Sequence, residues 1–428
     1  MVITTDRDAE RPNGIPTPER GNEEWRPLRL VTIVSTVIAL CIVGDSLLYS
    51  ILPLEAKALG FSALQVGILL SVNRWVRLAS NPWASRLIER WGPRWPFLIA
   101  CLLGLCSTAI YGLGWGFLLF LAARLIWGIA WSAFRQDGYH AVWSGGPTVK
   151  GRLTGLLWGV VRLGSACGVL LGGWLYDHQG YTTTIWVMVG ITALALPVAW
   201  PIRWPKLEFV ASTPTRAQET NRKLHDWWQA LAAPDARWLT TASGLQLLSS
   251  GVILSTTSLF LQELPHRGNA ALVFGLGIAT MAGILQGIRW LSDLAIGPAI
   301  GYLSDQFGQA NTAIAIVIIA FCALIGLALL PPFFAILCLF LVFLCDAGTN
   351  TVLSAAASGV AFHAARPNLF IGLFTTAGDA GSALGPLLAY ALAGVWGLPA
   401  LYVGLGALLL LAVFRYRQVS RTVSQAEQ

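Results

Sequence analysis

Charged residues lie inside stretches that are otherwise apolar, among them Asp45, Arg74, Arg77, Arg124, Arg135, Arg162, Arg289, Asp293, Asp346 and Asp379. A charge at the centre of a bilayer costs on the order of 3 kcal/mol on insertion scales, so such residues face protein or a water-filled cavity. Two chemistries suit them. A carboxylate in a low-dielectric cavity can load and release protons, which makes Asp45, Asp346 and Asp379 proton-carrier candidates. A guanidinium can hold an anion. Arg74 and Arg124 have no evident partner in their own half of the chain and are the candidates for that contact. Asn350 follows Asp346 by four residues, shares its helical face and can meet polar groups of a substrate. Trp75, Trp127, Trp131, Trp158 and Trp290 occupy the same charge-bearing stretches. Packing and interfacial anchoring compete there with a stacking wall for an aromatic or amphipathic ligand.

The same charges also have structural readings. Arg289 and Asp293 are spaced i, i+4 and can pair along one helix. Arg77 and Arg162 can bridge to Asp293 and Asp379 across the two halves, as pairs that lock one conformation and break in another. Arg135 lies near the end of its stretch, where surface anchoring is expected.

Other chemistry is not supported. The seven cysteines lie within apolar stretches without a CxxC pair, and the five histidines are scattered without ligand spacing. The cysteines read as small apolar fillers, and no metal or other cofactor is expected. No nucleophile–base constellation is found, so an enzyme is not expected. None of the lysines follows a glycine at Walker A spacing, so any energy input must come from an ion or substrate gradient rather than ATP.

Hydrophobic residues make up 55% of the chain and charged residues 11%, with a mean hydropathy of +0.64. Soluble proteins carry about 25% charged residues, so this composition belongs in a membrane. Twelve apolar runs are long enough to span a bilayer as helices: near 30–53, 62–84, 96–114, 116–138, 153–176, 182–202, 239–262, 273–300, 312–330, 333–357, 369–393 and 398–414. The net charge of +7 does not point to nucleic acid. Outside the runs, every Lys and Arg except Lys57 and Arg267 falls on the N-terminal side, which places both termini in the cytoplasm. Runs three, six, nine and twelve contain no Asp, Glu, Lys, Arg or His. Every third span therefore faces lipid, and the others surround a polar centre. Residues 1–27 read as a disordered cytoplasmic tail, 28–202 as a first six-helix lobe and 203–237 as a cytoplasmic linker. Residues 238–417 read as a second lobe and 418–428 as a cytoplasmic tail.

The chain is built twice. Gly67–Gly92 returns as Gly283–Gly308 without a gap, with Gly67/Gly283, Pro82/Pro298, Leu87/Leu303 and Gly92/Gly308 in register. Arg29–Glu55 returns as Arg237–Glu263, and the fifth span matches the eleventh. Arg77 falls on Asp293 and Arg162 on Asp379, so charge is inverted in the second copy.

The loop Ser85-Arg-Leu-Ile-Glu89-Arg90-Trp-Gly92-Pro-Arg94 resembles the major facilitator superfamily motif G-x-L-x-D-R-x-G-R-R. Gly301-Tyr-Leu-Ser-Asp305-Gln-Phe-Gly308 matches its Gly, Leu and Asp more closely. The resemblance covers about residues 28–417. It implies a loop that latches the outward-facing closure against a span-four acid, with Glu89, Arg90, Gly92, Arg94, Asp137, Gly301, Asp305 and Gly308 as its parts. Arg124-Leu-Ile-Trp-Gly128 is similar to the family's R-x-x-x-G motif, linked to proton coupling in antiporters. Gly164-Ser-Ala-Cys-Gly168-Val169 looks like the antiporter motif GxxxGPxxGG with valine in place of proline. Asp45 is similar to a first-span acid of drug:proton antiporters.

The expectation is an all-α membrane protein of twelve transmembrane helices in two pseudo-symmetric six-helix lobes. It is a multi-pass monomer in the plasma membrane, or the bacterial inner membrane in a prokaryote. Its partners are the lipid bilayer, a small-molecule substrate and protons, with no nucleic acid. The leading function is proton-coupled export of small organic or drug-like compounds by alternating access. The alternative is transport of a small organic or inorganic anion through an arginine-lined cavity. The substrate-binding or coupling candidates are Asp45, Arg74, Arg77, Arg124, Trp131, Arg162, Asp293, Asp346, Asn350 and Asp379.

Overall fold

The computed structural model describes residues 20–145, 149–204, 231, 233–264, 276–363 and 367–426. Among these the chain forms thirteen helices and no strand. They are α1 (Arg20–Glu55), α2 (Ala63–Trp91), α3 (Arg94–Leu113), α4 (Phe117–Trp143), α5 (Lys150–Ala193), α6 (Ala195–Ala199) and α7 (Pro234–Glu263). There follow α8 (Ile278–Ala295), α9 (Gly297–Phe307), α10 (Gln309–Leu329), α11 (Pro332–His363), α12 (Pro367–Trp396) and α13 (Leu398–Ala426).

Two local features turn these helices into twelve rods. The fifth and sixth spans run on as α5 and are divided at Gly180, whose φ of 76° suits a residue without Cβ. The short α6 completes the sixth span. The eighth span is α8 plus α9, interrupted at Ile296. Pro298 sits in the first turn of α9, where a missing N–H costs nothing. The sequence reading expected one continuous span over 273–300; the backbone instead restarts ahead of the proline. Its counterpart Pro82 stays inside the continuous α2. At the chain ends, α1 begins at Arg20 and α13 runs to Ala426, inside segments expected as tails. Residues 1–19 and 205–230, which include most of the expected linker, lie outside the described residues.

Eight described stretches are long and apolar enough to cross a membrane by length and composition. They include Pro27–Glu55, Gln309–Leu329 and the doubled Gly151–Ala199. The helices α2, α8 and α12 fall outside that set and carry polar residues along their length.

The internal repeat governs packing. Gly92 and Gly308 end their respective spans with φ of 72° and 82°. In the first half, Gly164 and Gly168 of α5 lie against the α1 backbone: an added Cβ would come within 2.6 Å of Ala39 O and 2.8 Å of Val43 O. In the second half, Gly381 and Gly385 of α12 lie in the same way against Gly244, Leu248 and Gly251 of α7. The glycine pattern that resembles an antiporter motif is therefore a close-approach seam. Each half has its own apolar cluster, one around Phe97, Trp127 and Phe134 and the other around Phe370, Val413 and Tyr416. A third cluster joins residues from both halves, among them Leu47, Tyr111, Phe260 and Tyr402.

Candidate functional site

The halves close on each other where α1 and α7 end and α2 and α8 begin. Ser258 Oγ donates to the Ser50 backbone oxygen, tying α7 to α1. Asp177 of α5 accepts from Thr280 N at 2.7 Å and Thr280 Oγ1 at 2.6 Å, and so caps the first turn of α8 across the interface. Gly283 packs on the backbone of Val169, and Gly67 packs on Pro386 and Tyr390. These two contacts are related by the repeat, since Gly67 corresponds to Gly283 and Val169 to Pro386.

The exchange of valine for proline has a consequence. Pro386 has no N–H, so the carbonyl four residues before it, Ser382 O, loses its helical donor. Arg74 of α2 supplies one in its place. One residue beyond the proline, Leu387 N donates to Ser71 Oγ at 3.1 Å. The α2–α12 seam is thus polar, whereas the matching α5–α8 seam at Val169 keeps its helical bonds.

Below this closure lies a cavity of about 110 Å³, lined by Ile42, Asp45, Ser46, Tyr49, Arg74, Arg77, Trp131, Ser165, Leu254, Gln286 and Trp290. These residues come from α1, α2, α4, α5, α7 and α8. None comes from the third, sixth, ninth or twelfth span, as the charge-free pattern of those spans predicts.

Four of the five acids inside the spans pair with arginines. Asp45 pairs with Arg124, whose side chain is fully buried, and Arg124 Nε also donates to Leu69 O at 2.7 Å. Asn73 Nδ2 lies 3.4 Å from the same carboxylate. Asp346 accepts from Gln246 Nε2 at 2.7 Å, Ser250 Oγ at 2.9 Å and Arg289 Nε at 2.9 Å. Asp293 pairs with Arg162, joining α8 to α5, and Asp379 lies 3.9 Å from Arg135 of α4. Both of the last two pairs cross between the halves.

This pairing corrects several expectations. Arg124 does have a partner in its own half, because the first and fourth spans meet at the level of Asp45. Arg289 and Asp293 do not pair along their helix; Arg289 turns into its own half toward α11, and Asp293 turns out toward α5. The cross-lobe partners differ from those expected, with Arg162 on Asp293 instead of Asp379 and no acid paired with Arg77 among the described residues. Arg135 reaches Asp379 and is not merely an anchor. Asn350 is half-buried beyond the Asp346 network, and no residue from its stretch lines the cavity.

What remains on the cavity wall is basic. No carboxylate among the described residues lies within ion-pairing distance of Arg74 or Arg77. The Arg77 guanidinium lies 5.3 Å from the centre of the Trp131 ring, and its buried Nε has no hydrogen-bond partner. Arg74 lies 5.4 Å from the Tyr49 ring centre. Gln286 spends Nε2 on Leu254 O at 3.2 Å and leaves Oε1 unpartnered. Tyr49, Gln286 and Ser382 were not singled out in the sequence. An amide inside an apolar span and a proline four residues after Ser382 were the signals that could have found the last two.

Of the loop motifs, Glu89, Arg90, Arg94 and Asp305 are all exposed. Asp137 is fully buried, and neither carboxylate oxygen has a hydrogen-bond partner. No ion pair among the described residues joins it to Glu89, Arg90 or Arg94.

Two repeated helical halves, spans that suit a bilayer and a polar cavity between them define a multi-pass membrane transporter. A family model for the Major Facilitator Superfamily matches residues 34–368, and the chain belongs to that superfamily. No curated protein sequence matches it. Its fold is similar to the crystal structure of the nucleoside transporter NupG (TM-score 0.72, 14% identity, 92% of this chain and 98% of that one). It is also similar to a bacterial homologue of the human lysosomal transporter Spinster in an inward-facing, unoccupied conformation (TM-score 0.69, 15% identity, 94% and 98%). A structure on substrate recognition in proton-dependent oligopeptide transporters gives a TM-score of 0.68 at 13% identity, covering 92% and 98%.

Proposed function

We propose that this transporter carries a small organic anion, held between its halves by Arg74 and Arg77. The observation that carries this reading is the charge inventory of the cavity. Asp45, Asp293, Asp346 and Asp379 each have an arginine partner, while the two arginines on the cavity wall have none. A cavity with two uncompensated guanidinium groups attracts an anion and repels an organic cation. Proton-coupled export of drug-like compounds rests on Asp45 as a carrier, together with the span-four R-x-x-x-G and the near-match in span five, and Asp45 is bound to a buried guanidinium. The folds of nucleoside and oligopeptide transporters are shared alike, so the fold does not choose the substrate.

Transport proceeds by rocking the two halves about the central cavity. With the termini in the cytoplasm, as the distribution of basic residues suggests, the closed end is the outer face and the protein faces inward. The unpartnered Asp137 and the exposed loop residues fit that state, because the latch that the motif implies belongs to outward-facing closure. The ion pairs Arg162–Asp293 and Arg135–Asp379 are the contacts remade or broken as the inner side opens and shuts.

Flux into proteoliposomes tests the reading, using labelled benzoate, a labelled organic cation and a labelled neutral amphiphile while an internal dye follows pH. Benzoate flux that drops at least tenfold in Arg77→Gln supports it. Flux of the cation alone, accompanied by proton countermovement, would return the assignment to proton-coupled export.

A further inference from the structure

We infer that the substrate is an aromatic anion whose ring lies between Trp131 and Trp290. This deepens the anion reading above and rests on it. The two indoles line the same cavity from opposite halves, Trp131 on α4 and Trp290 on α8. Each is half-buried and sits beside an arginine: Arg77 lies 5.3 Å from the Trp131 ring centre and Arg289 lies 4.5 Å from that of Trp290. The two arginines differ in what they have left to offer. Arg289 is paired with Asp346 and also donates to Ser250, with Nη1 left unpartnered, so its charge is balanced by an acid while it lies on the Trp290 ring. Arg77 has no acid, so the anionic group belongs at the Trp131 end, with Arg74 beside it.

Tyr49 adds a third ring on the same wall, between Arg74 at 5.4 Å and Arg124 at 5.7 Å. Leu254 and Ile42 complete an apolar lining with no further charge besides Asp45, which Arg124 holds. A volume of about 110 Å³ is of the order of the ~150 Å³ apolar cavity known to accept one benzene ring. Aromatic side chains on both sides of the lining, a charged group at one end and room for a single ring describe a monocyclic aryl carboxylate or a close relative. Since one indole belongs to each half, a ring between them contacts both halves at once. The ligand then bridges the two bodies that must move together during transport.

The test separates the ring from the charge. Binding of benzoate, cyclohexanecarboxylate and benzamide to purified protein is measured by calorimetry. Benzoate and cyclohexanecarboxylate share charge and approximate size but differ in the π face; benzamide keeps the ring and loses the charge. The inference predicts that benzoate binds several-fold to about tenfold more tightly than cyclohexanecarboxylate, the range an aromatic pair contributes beyond its buried area. That preference disappears in Trp290→Leu while cyclohexanecarboxylate binding is retained, which also shows the variant to be folded. Arg77→Gln weakens both carboxylates alike. Equal binding of the two carboxylates by the unaltered protein overturns the aromatic inference and leaves the anion reading standing. Tighter binding of benzamide than of either carboxylate, or binding of none of the three, overturns both.

Discussion

Arg74 donates to the backbone oxygen of Ser382, a carbonyl that Pro386 leaves without a partner in its own helix. A side chain of the first half thus completes a hydrogen-bond ladder of the second. The relationship ties the wall of the cavity to the seam that closes it, because Arg74 belongs to both.

Pro386→Ala restores the N–H that Ser382 O lacks and makes Arg74 dispensable to α12. The α2–α12 seam then weakens even as the helix gains intrinsic propensity. Spin labels at Lys57 and Glu263, both exposed at the closed end on opposite halves, report the change. The variant gains a longer-distance population that the unaltered protein lacks.

Asp177→Ala removes the carboxylate that accepts from Thr280 at the first turn of α8. A cap of this kind is worth roughly 1 kcal/mol, so the closed end opens about fivefold more often. Ser258, fully buried beneath it, serves as the reporter. In a background with native cysteines replaced, Ser258→Cys is alkylated by a membrane-impermeant maleimide correspondingly faster when Asp177 is replaced.

Asp45→Asn leaves the buried Arg124 charge uncompensated, at a cost of about 3–5 kcal/mol. Loss of transport in this variant therefore arises from stability and not from lost proton carriage. Asp45→Asn combined with Arg124→Gln recovers most of the thermal stability and measurable benzoate flux. A stable double variant without flux would show that the carboxylate takes part in transport directly.

Exchanging the charges of Arg162 and Asp293 tests the pair that spans α5 and α8. Arg162→Asp alone places two acids together and reduces transport at least tenfold. Adding Asp293→Arg returns a substantial fraction, because the attraction is restored with its direction reversed.

Much of this architecture could be read from the chain. The Gly67–Gly92 repeat foretold the pseudo-symmetry, and the charge-free third, sixth, ninth and twelfth spans foretold which helices stay away from the cavity. The periodicity of a helix and the cost of a charge in lipid are local properties, so sequence carries them. Partner choice among the charges is not local. Arg289 could meet Asp293 on its own helix or Asp346 on another, and only the rotation of α8 against α11 decides. The anion reading likewise depended on which acids were already paired, a question settled by the packing of α1 on α4. The break at Ile296 and the continuous α2 around Pro82 show the same limit, since equivalent prolines have different outcomes in the two halves.

The most direct measurement is a crystal structure of the protein with 4-bromobenzoate bound, located by the anomalous signal of the bromine. The account places the ring between Trp131 and Trp290, with the carboxylate on Arg77 and within reach of Arg74. A bromine peak outside the cavity, or a carboxylate turned away from both arginines, would contradict it.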